Sequence, residues 1–370
     1  MRAVVTGGGT SGHVVPALAI LEALVDAGVP PDELRYVGAR RGVETRLVPA
    51  AGIAAEFLPM AGLQRSLAPR RMASNLLLPL RVFVSRRIAR GLVRRWRPAV
   101  VVSVGGYASD PMAHAAVAAG VPLVCVSYDR RPGLATRRQA RHATACATAF
   151  PDSDLPRARL TGAPVRRAMR TLDRDARRAQ ARAARGIPDD ALVLAVTGGS
   201  LGSATLNSFV DDVMAAMAER PSPPGGWVVL HSCGPRYAST PRPSTATGLR
   251  LERTAYEEHM EDVYAACDLL VARAGASTVA EVAAVGVPCV LVPWSGAADG
   301  HQEMNARWLA DMGAAVLVLD AEVSGADAVR GVLDLLVDAG RLANLARAAR
   351  AAGEIHRGDT LVRVVLDAAS

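Results

Sequence analysis

The sequence predicts an α/β protein made of two doubly wound domains in tandem, and three observations support this. Apolar runs alternate with alanine-rich segments of helical spacing along the 370 residues, which is typical of parallel sheets with right-handed crossovers. A glycine-rich loop follows an apolar run twice, at 6–12 and at 197–202. Segment 116–124 returns in similar form at 282–290, which indicates two related halves. A cleft between two such domains is where a nucleotide-bearing substrate would bind.

Chain length also favours two domains, because 370 residues exceed what one hydrophobic core usually organises. We place the boundary near Gly162-Ala163-Pro164, with an N-terminal domain over 1–163, a C-terminal domain over 164–353 and a terminal segment over 354–370. An amphipathic helix is expected at 360–369. Whether it packs back on the N-terminal domain is a question that the sequence leaves open.

The predicted strands are continuous apolar runs, as expected where both faces of a sheet are covered. They lie at 3–6, 34–37, 100–104, 123–126, 192–196, 227–230, 269–271, 289–292 and 315–319. Segment 165–185 predicts one arginine-rich helix. Segments 221–226 and 240–248 are rich in Pro, Ser, Thr and Gly and predict surface loops.

Composition excludes several function classes. All 43 basic residues are arginine, which excludes a Schiff-base lysine and a Walker-type phosphate lysine. The five cysteines lack metal-ligand spacing and mostly lie in or beside apolar runs, so buried free thiols are expected. No apolar stretch reaches about 18 residues, so no transmembrane helix is expected. The N-terminus lacks a tripartite signal peptide, which predicts a cytoplasmic protein.

Positive charge is concentrated between Glu56 and Asp110, an interval that holds ten arginines and no acid. An anionic partner is therefore expected. Nucleic acid is disfavoured, because the interleaved residues at 76–84 are mainly aliphatic and offer little aromatic stacking surface. An anionic membrane surface fits better; the alternative is a buried helix with a solvated arginine face. The predicted docking surface consists of Leu77, Leu80, Arg81, Phe83, Arg86 and Arg87.

The first glycine loop, at 7–12, fits Gly-x-Gly-x-x-Gly between a strand and a helix. A dinucleotide site of this kind needs an acid at the end of the second strand, where this chain reads Ala39-Arg40-Arg41. A nicotinamide cofactor is therefore disfavoured, although the loop still offers helix N–H groups to a phosphate or polar ligand. His13 follows the loop as a candidate general base or, alternatively, as a histidine that bonds only to backbone.

A second strand-to-helix turn, at 274–281, suits a diphosphate. Glu281 there would reach a sugar diol, or it is an acid favoured by the helix dipole. Loop 293–305 follows the next strand and carries Gln302 and Asn305 on one predicted helical face. Ligand binding and surface solvation explain these two residues equally well.

Six motifs in this order resemble the MurG family, whose members transfer N-acetylglucosamine from a UDP donor to undecaprenyl-linked muramyl-pentapeptide and so convert lipid I to lipid II. The motifs lie at 8–13, 104–107, 162–166, 198–202, 275–281 and 301–306. The resemblance covers nearly the whole chain. It implies a GT-B glycosyltransferase fold of two Rossmann-like domains facing a cleft, with the donor held mainly by the C-terminal domain.

The resemblance implies an inverting UDP-N-acetylglucosamine transferase of peptidoglycan synthesis, and hence of cell division and cell shape. It would need no metal or other cofactor and would act as a peripheral protein on the cytoplasmic face of the membrane. Its partners would be a UDP-sugar, an undecaprenyl-linked acceptor and the anionic membrane surface, and no nucleic acid.

The resemblance also implies the site. Arg166 and Ser200 would contact the phosphates, Glu281 the ribose, and the main chain at Glu257 the uracil. The residues implied on the donor are Thr10, Ser11, Gly12, Asp129, Arg166, Ser200, Glu257, Ala276, Ser277, Thr278, Val279, Glu281 and Gln302. Those implied at the acceptor are His13, Gly106 and Tyr107, with His13 as the catalytic residue.

One segment departs from the family. Where the family carries His-Glu-Gln-Asn, this chain reads Val126-Ser127-Tyr128-Asp129, and Ala163 replaces the usual Asn before Pro164. The departure bears on the acceptor more than on the donor. The alternatives are a paralogous transferase with another lipid or small-molecule acceptor, a UDP-sugar 2-epimerase, and a non-catalytic protein that recruits cell-wall enzymes to the membrane.

Overall fold

The computed structural model describes residues 1–62, 77–239 and 248–370. They form two compact units, of which unit 1 comprises Met1–Arg167 and Ile355–Ser370 and unit 2 comprises Ala168–Glu354. Residues 240–247 of the predicted loop at 240–248 lie outside the described residues, as do the arginines at 65, 70 and 71 and Leu76.

Unit 1 is built on a seven-stranded parallel sheet of order β3-β2-β1-β4-β5-β6-β7. Its strands are β1 (Ala3–Thr6), β2 (Leu34–Ala39), β3 (Ala54–Leu58), β4 (Val100–Ser103), β5 (Leu123–Ser127), β6 (Ala145–Thr148) and β7 (Ala158–Leu160). Its helices are α1 (Ser11–Asp26), α2 (Glu44–Ala50), α3 (Leu78–Trp96), α4 (Asp110–Ala118) and α5 (Leu134–Ala140), together with α15 (Thr360–Ala369) from the C-terminus.

Unit 2 is built on a six-stranded parallel sheet of order β10-β9-β8-β11-β12-β13. Its strands are β8 (Leu192–Thr197), β9 (Trp227–Ser232), β10 (Leu249–Thr254), β11 (Leu269–Ala272), β12 (Cys289–Leu291) and β13 (Val316–Leu317). Its helices are α7 (Arg174–Ala184), α8 (Ala204–Ala218), α9 (Met260–Ala266), α10 (Ala276–Val285), α11 (His301–Asp311), α12 (Ala326–Val337) and α13 (Ala339–Ala352). Two short helices, α6 (Arg167–Arg170) and α14 (Glu354–Arg357), contain the unit boundaries.

The two similar segments found in the sequence occupy the same topological position in both units. Segments 116–124 and 282–290 each run from the end of a helix into a strand, β5 in one sheet and β12 in the other. Gly120 and Gly286 have φ values of 69° and 79°, a left-handed conformation that only glycine adopts without strain and that ends a helix. The predicted pair of doubly wound α/β domains is confirmed.

Four strands were missed by the sequence predictions. β3, β7 and β10 lie at sheet edges, and their exposed positions interrupt the apolar run on which the prediction depends. β6 is fully buried but short, with the sequence Ala-Cys-Ala-Thr. The single helix predicted at 165–185 is wrong: α6 ends at Arg170, and α7 begins after Asp173, whose carboxylate accepts the Ala176 N–H at 3.1 Å as an N-cap.

The C-terminal segment belongs to unit 1. Helix α15 packs on β4, β5 and β6 and buries Leu361, Val362, Val364 and Val365. Before it, the His356 Nδ1 accepts the Ala163 N–H at 3.0 Å. All five cysteines are buried and free, as predicted. Within the described ranges, no helix has the length and apolar character needed to cross a membrane.

Candidate functional site

Three loops meet at the C-terminal ends of β1, β4 and β5, which are neighbours in the sheet of unit 1. They are the glycine loop at 7–12, the turn at 104–107 and the segment that begins at Tyr128. The Tyr128 hydroxyl donates to the Gly12 carbonyl at 2.7 Å, which joins the first loop to the third. Ligands of open α/β sheets bind at this edge.

His13 lies in the first turn of α1, and its Nδ1 is 3.1 Å from the Thr10 Oγ1. Gly105 and Gly106, with φ values of 83° and 75°, pass along the ring. A β-carbon on Gly106 would lie 3.3 Å from the imidazole and 2.8 Å from the Gly8 carbonyl oxygen, so only glycine fits there. Burial lowers the pKa of His13, and the charge on Asp129 partly opposes this. A neutral imidazole at pH 7 is able to accept a proton.

Tyr107 begins a short 3-10 turn, and its ring lies against Gly9 and Gly62. Burial raises the pKa of Tyr107, and the charge on Glu44 raises it further. The phenol therefore remains protonated at neutral pH and is available as a hydrogen-bond donor.

Glu44 is a residue that sequence reasoning missed. It is fully buried at the start of α2, and its Oε1 accepts the N–H groups of Gly9 at 3.0 Å and Ala39 at 3.2 Å. A ribose-binding acid is expected at the end of β2, and this carboxylate comes five residues after Ala39. Because Glu44 is buried and bonded to the glycine loop itself, it does not restore a dinucleotide site.

Arg166 lies at the end of unit 1 and pairs with Glu22 on α1, with nitrogen–oxygen distances of 2.8 and 2.7 Å. This pair fixes the guanidinium, which is about a third exposed. The implied phosphate contact of Arg166 stays a prediction.

In unit 2, the turn after β11 leads into α10, whose N-cap is Gly275. No side chain caps this helix, so the N–H groups of its first turn are offered to a ligand or to water. Ala276 and Val279 are buried, whereas Ser277 and Thr278 are partly exposed. One turn further on, Glu281 accepts the Tyr264 hydroxyl at 3.2 Å.

Arg273 is a second residue that the sequence analysis missed. It is buried at the end of β11, donates to the Ser203 Oγ at 2.6 Å and pairs with Asp320 at 2.6 Å. Burial works to raise the pKa of Asp320, but hydrogen bonds from Arg273 and Ser295 outweigh it and lower the pKa. The signal in the sequence is an arginine directly after a strand and two residues before Gly275.

Gln302 lies in the first turn of α11, and its Oε1 accepts the Trp294 N–H at 2.9 Å. This bond orients the side-chain amide. Asn305 is completely buried, so surface solvation does not explain it. The Trp294 side chain is half exposed beside the same loop.

A pocket within unit 2 opens at the C-terminal ends of β8, β9 and β10, and Thr197, His231, Thr254 and Glu257 are among its lining residues. The Glu257 carboxylate pairs with Arg185 at 2.8 Å and accepts the His259 N–H at 2.9 Å. Its side chain is thus engaged within the protein, and the expected main-chain contact with uracil stays a prediction. Ser200 is exposed in the 198–202 loop.

The predicted docking surface lies on α3 and the residue before it. Leu77, Leu80 and Phe83 are 50%, 59% and 63% exposed, whereas the opposite face of the helix is buried through Ala89, Leu92, Val93 and Trp96. Arg87 is exposed, Arg81 is partly exposed, and Arg86 pairs with Asp110 at 2.9 Å. A buried helix with a solvated arginine face does not account for the exposed apolar residues.

The structure thus brings together Thr10, Gly12, His13 and Gly106 in unit 1. In unit 2, Ser200 and Glu257 lie in loops that follow β8 and β10, whereas residues 276–281 and Gln302 lie at the starts of α10 and α11. Across residues 1–62, 77–239 and 248–370, no group of three His, Cys, Asp or Glu side chains is placed to hold a metal ion.

Comparison with known proteins identifies the family. Residues 3–148 match the glycosyltransferase family 28 N-terminal domain, and residues 193–357 match its C-terminal domain. A Nocardioides protein, named UDP-N-acetylglucosamine--N-acetylmuramyl-(pentapeptide) pyrophosphoryl-undecaprenol N-acetylglucosamine transferase, is 40% identical over 99% of this chain and 98% of its own. The chain belongs to the MurG family. The resemblance inferred from the six motifs is confirmed.

Two further comparisons support membership of the MurG family and its fold. A relative of the same name from Mycolicibacterium smegmatis is 38% identical over 99% of this chain and 94% of its own. The crystal structure of Acinetobacter baumannii MurG superposes with a TM-score of 0.71 at 23% identity and covers 99% of this chain and 100% of that one. The fold is therefore GT-B, as expected.

Proposed function

We propose that this chain transfers N-acetylglucosamine from UDP-N-acetylglucosamine to lipid I and so makes lipid II in peptidoglycan synthesis, on which cell division and cell shape depend. The observation that carries this is 40% identity, over almost the full length of both chains, to a relative with that name. The chain is a glycosyltransferase of family 28.

The proposed donor-binding site is at the C-terminal edge of the sheet in unit 2. The N–H groups of residues 276–279 and the Ser200 hydroxyl would bind the diphosphate, because an uncapped helix N-terminus attracts anions. Glu281 would accept from the ribose hydroxyls. The main chain at Glu257 would meet the uracil at the pocket in unit 2.

Gln302 is proposed to bind the sugar. Its Oε1 accepts the Trp294 backbone N–H, so its amide nitrogen would donate to a sugar hydroxyl. Thr10, Ser11, Gly12 and Asp129 would lie along the sugar.

For catalysis, His13 is the proposed base on an acceptor hydroxyl, with Gly106 and Tyr107 on the acceptor side. The acceptor oxygen attacks the anomeric carbon and inverts it, its proton passes to His13, and the bond to the UDP oxygen breaks. Helix N-termini and Arg166 would stabilise the departing diphosphate, with no metal ion required.

For localisation, we propose peripheral binding to the cytoplasmic face of the membrane through the docking surface. Exposed leucine and phenylalanine side chains beside arginines suit the headgroup region of an anionic bilayer.

The test is transfer of radiolabelled sugar from UDP-N-acetylglucosamine to a lipid I analogue in EDTA. The expected products are labelled lipid II analogue and UDP. Loss of turnover on chelation would reject the metal-independent mechanism. Epimerised donor formed without an acceptor would indicate a 2-epimerase instead. Consumption of the donor only with another acceptor would indicate a paralogous transferase, and UDP binding without turnover a non-catalytic protein.

A further inference from the structure

Tyr128 occupies the segment that departs from the family, directly after β5. Its side chain is buried, and its hydroxyl donates to the Gly12 carbonyl at 2.7 Å and lies 3.4 Å from the Val104 carbonyl oxygen. Gly12 immediately precedes His13. The hydroxyl therefore holds the peptide group that joins Gly12 to His13.

The ring of Tyr128 also faces His13. The two ring centroids are 6.4 Å apart and the ring planes cross at 68°, an edge-on arrangement that aromatic pairs favour. The Gly105-Gly106 turn and the Thr10 hydroxyl contact other parts of the imidazole. Tyr128 thus restrains both the backbone and the ring of His13.

One charged group of the same segment acts on His13. Asp129 raises the pKa of the imidazole, against the larger lowering by burial. Tyr128 and Tyr107 have pKa values raised by burial and then by neighbouring carboxylates, so both remain neutral at pH 7.

We propose that Tyr128 is a positioning residue for His13, acting through the Gly12 carbonyl and through ring packing. This inference rests on the proposed role of His13 in glycosyl transfer. It gives a physical role to one of the two residues that replace the amides of the family at this place.

The first experiment compares Tyr128→Phe with Tyr237→Phe, a matched hydroxyl deletion on a loop of unit 2. Loss of the bond to Gly12 should lower kcat about tenfold in Tyr128→Phe, with the KM for UDP-N-acetylglucosamine unchanged. Tyr237→Phe should retain the kcat of the parent. A Tyr128→Phe enzyme with the kcat of the parent would overturn the proposal.

The second experiment measures the pH dependence of kcat, which a purely structural role would not shift. Tyr128→Phe keeps the ring but loses the bond to the Gly12 carbonyl, so His13 is held less firmly and more water reaches the imidazole. The pKa of His13 should rise, and the acid limb should move to higher pH. Asp129→Asn removes the opposing charge, so burial lowers the pKa of His13 further and the limb should move to lower pH. An acid limb that stays with the parent in Tyr128→Phe would overturn the proposal, and Asp129→Asn serves as a reference for how far a change beside His13 moves the limb.

The NMR titration of the His13 ring in the full-length chain separates this proposal from the proposed function. Opposite shifts of the His13 pKa in the two variants support positioning even if the parent transfers no sugar to lipid I. If the parent is active and the His13 titration is the same in all three proteins, the positioning role alone is wrong.

Discussion

His13 combines three features at the residue scale: a helix first turn, a neighbouring hydroxyl from Thr10 and an environment that keeps the imidazole neutral. Glycine is required at position 106 beside the ring, because a β-carbon there would contact both the ring and the Gly8 carbonyl. These features suit a general base whose effective form is unprotonated.

For His13→Ala we expect kcat to fall by a factor on the order of 10² to 10⁴. UDP affinity should change little, because none of the proposed nucleotide contacts is made by His13. Steady-state kinetics and calorimetric titration with UDP would measure the two quantities. Turnover equal to that of the parent would leave His13 with a structural role only.

Glu44 should matter for stability, because its buried carboxylate satisfies two backbone N–H groups. We expect Glu44→Ala to lower the free energy of unfolding by about 2–3 kcal/mol and Glu44→Gln, which keeps an acceptor, to cost less. Glu56→Gln, at an exposed position on β3, is the control. Urea unfolding would measure all three, and a Glu44→Ala protein as stable as the control would contradict this role.

Sequence patterns predicted His13 and the glycine loops because the relevant spacing is local. Glu44, Arg273 and Tyr128 were not assigned roles, since their partners lie 35, 70 and 116 residues away in the chain. Only the fold brings such pairs together.

At the scale of elements, burial separates the central predicted strands from three of the four missed ones, whereas β6 is buried and was missed because it is short. Central strands such as β1 and β4 are buried along their whole length, so an apolar run marks them. β7 is exposed at all three positions and β3 at alternate ones. An edge strand needs only one covered face, so its sequence carries a weaker signal.

Helix α3 carries a prediction of its own. Leu77→Ser, Leu80→Ser and Phe83→Ser together should abolish most binding to anionic vesicles, because they remove the exposed apolar face. The parent should bind more strongly at low salt. A vesicle co-sedimentation assay would measure both effects.

The matched control replaces three exposed residues elsewhere, Val117→Ser, Leu160→Ser and Val337→Ser. This control should bind vesicles like the parent. Equal binding by the docking-surface variant would end the membrane proposal.

At the scale of the whole molecule, two buried histidines make stability depend on pH. Burial lowers the pKa of His231 and of His356 to about 4 each, against about 6.5 in the unfolded chain. The unfolded state therefore binds more protons below pH 6.5. Their contribution is complete above that pH and is lost as the pH falls towards 4.

For His356→Gln we expect the loss of stability between pH 7.5 and pH 5 to be smaller than in the parent by about 2 kcal/mol. Urea unfolding at both pH values would measure the difference. The variant should be the less stable protein at pH 7.5, because its bond to the Ala163 N–H is altered. An unchanged pH dependence would show that His356 does not carry this effect.

The two related halves could be predicted from the sequence because the echo at 116–124 and 282–290 marks the same helix-to-strand turn in each sheet. The packing of α15 on β4–β6 could not be predicted from the sequence. An amphipathic pattern indicates that one face of a helix is buried, but it does not identify the element that covers this face.

Unit 2 is proposed to bind the UDP-sugar through main-chain amides at strand ends. Hydrogen–deuterium exchange of the full-length chain, with and without UDP-N-acetylglucosamine, tests it directly, because the amides of the uncapped α10 N-terminus are the groups that the diphosphate would cover. Slower exchange at 275–281 and 198–202 is the predicted result. Protection confined to other segments, or none at saturating donor, would contradict the account.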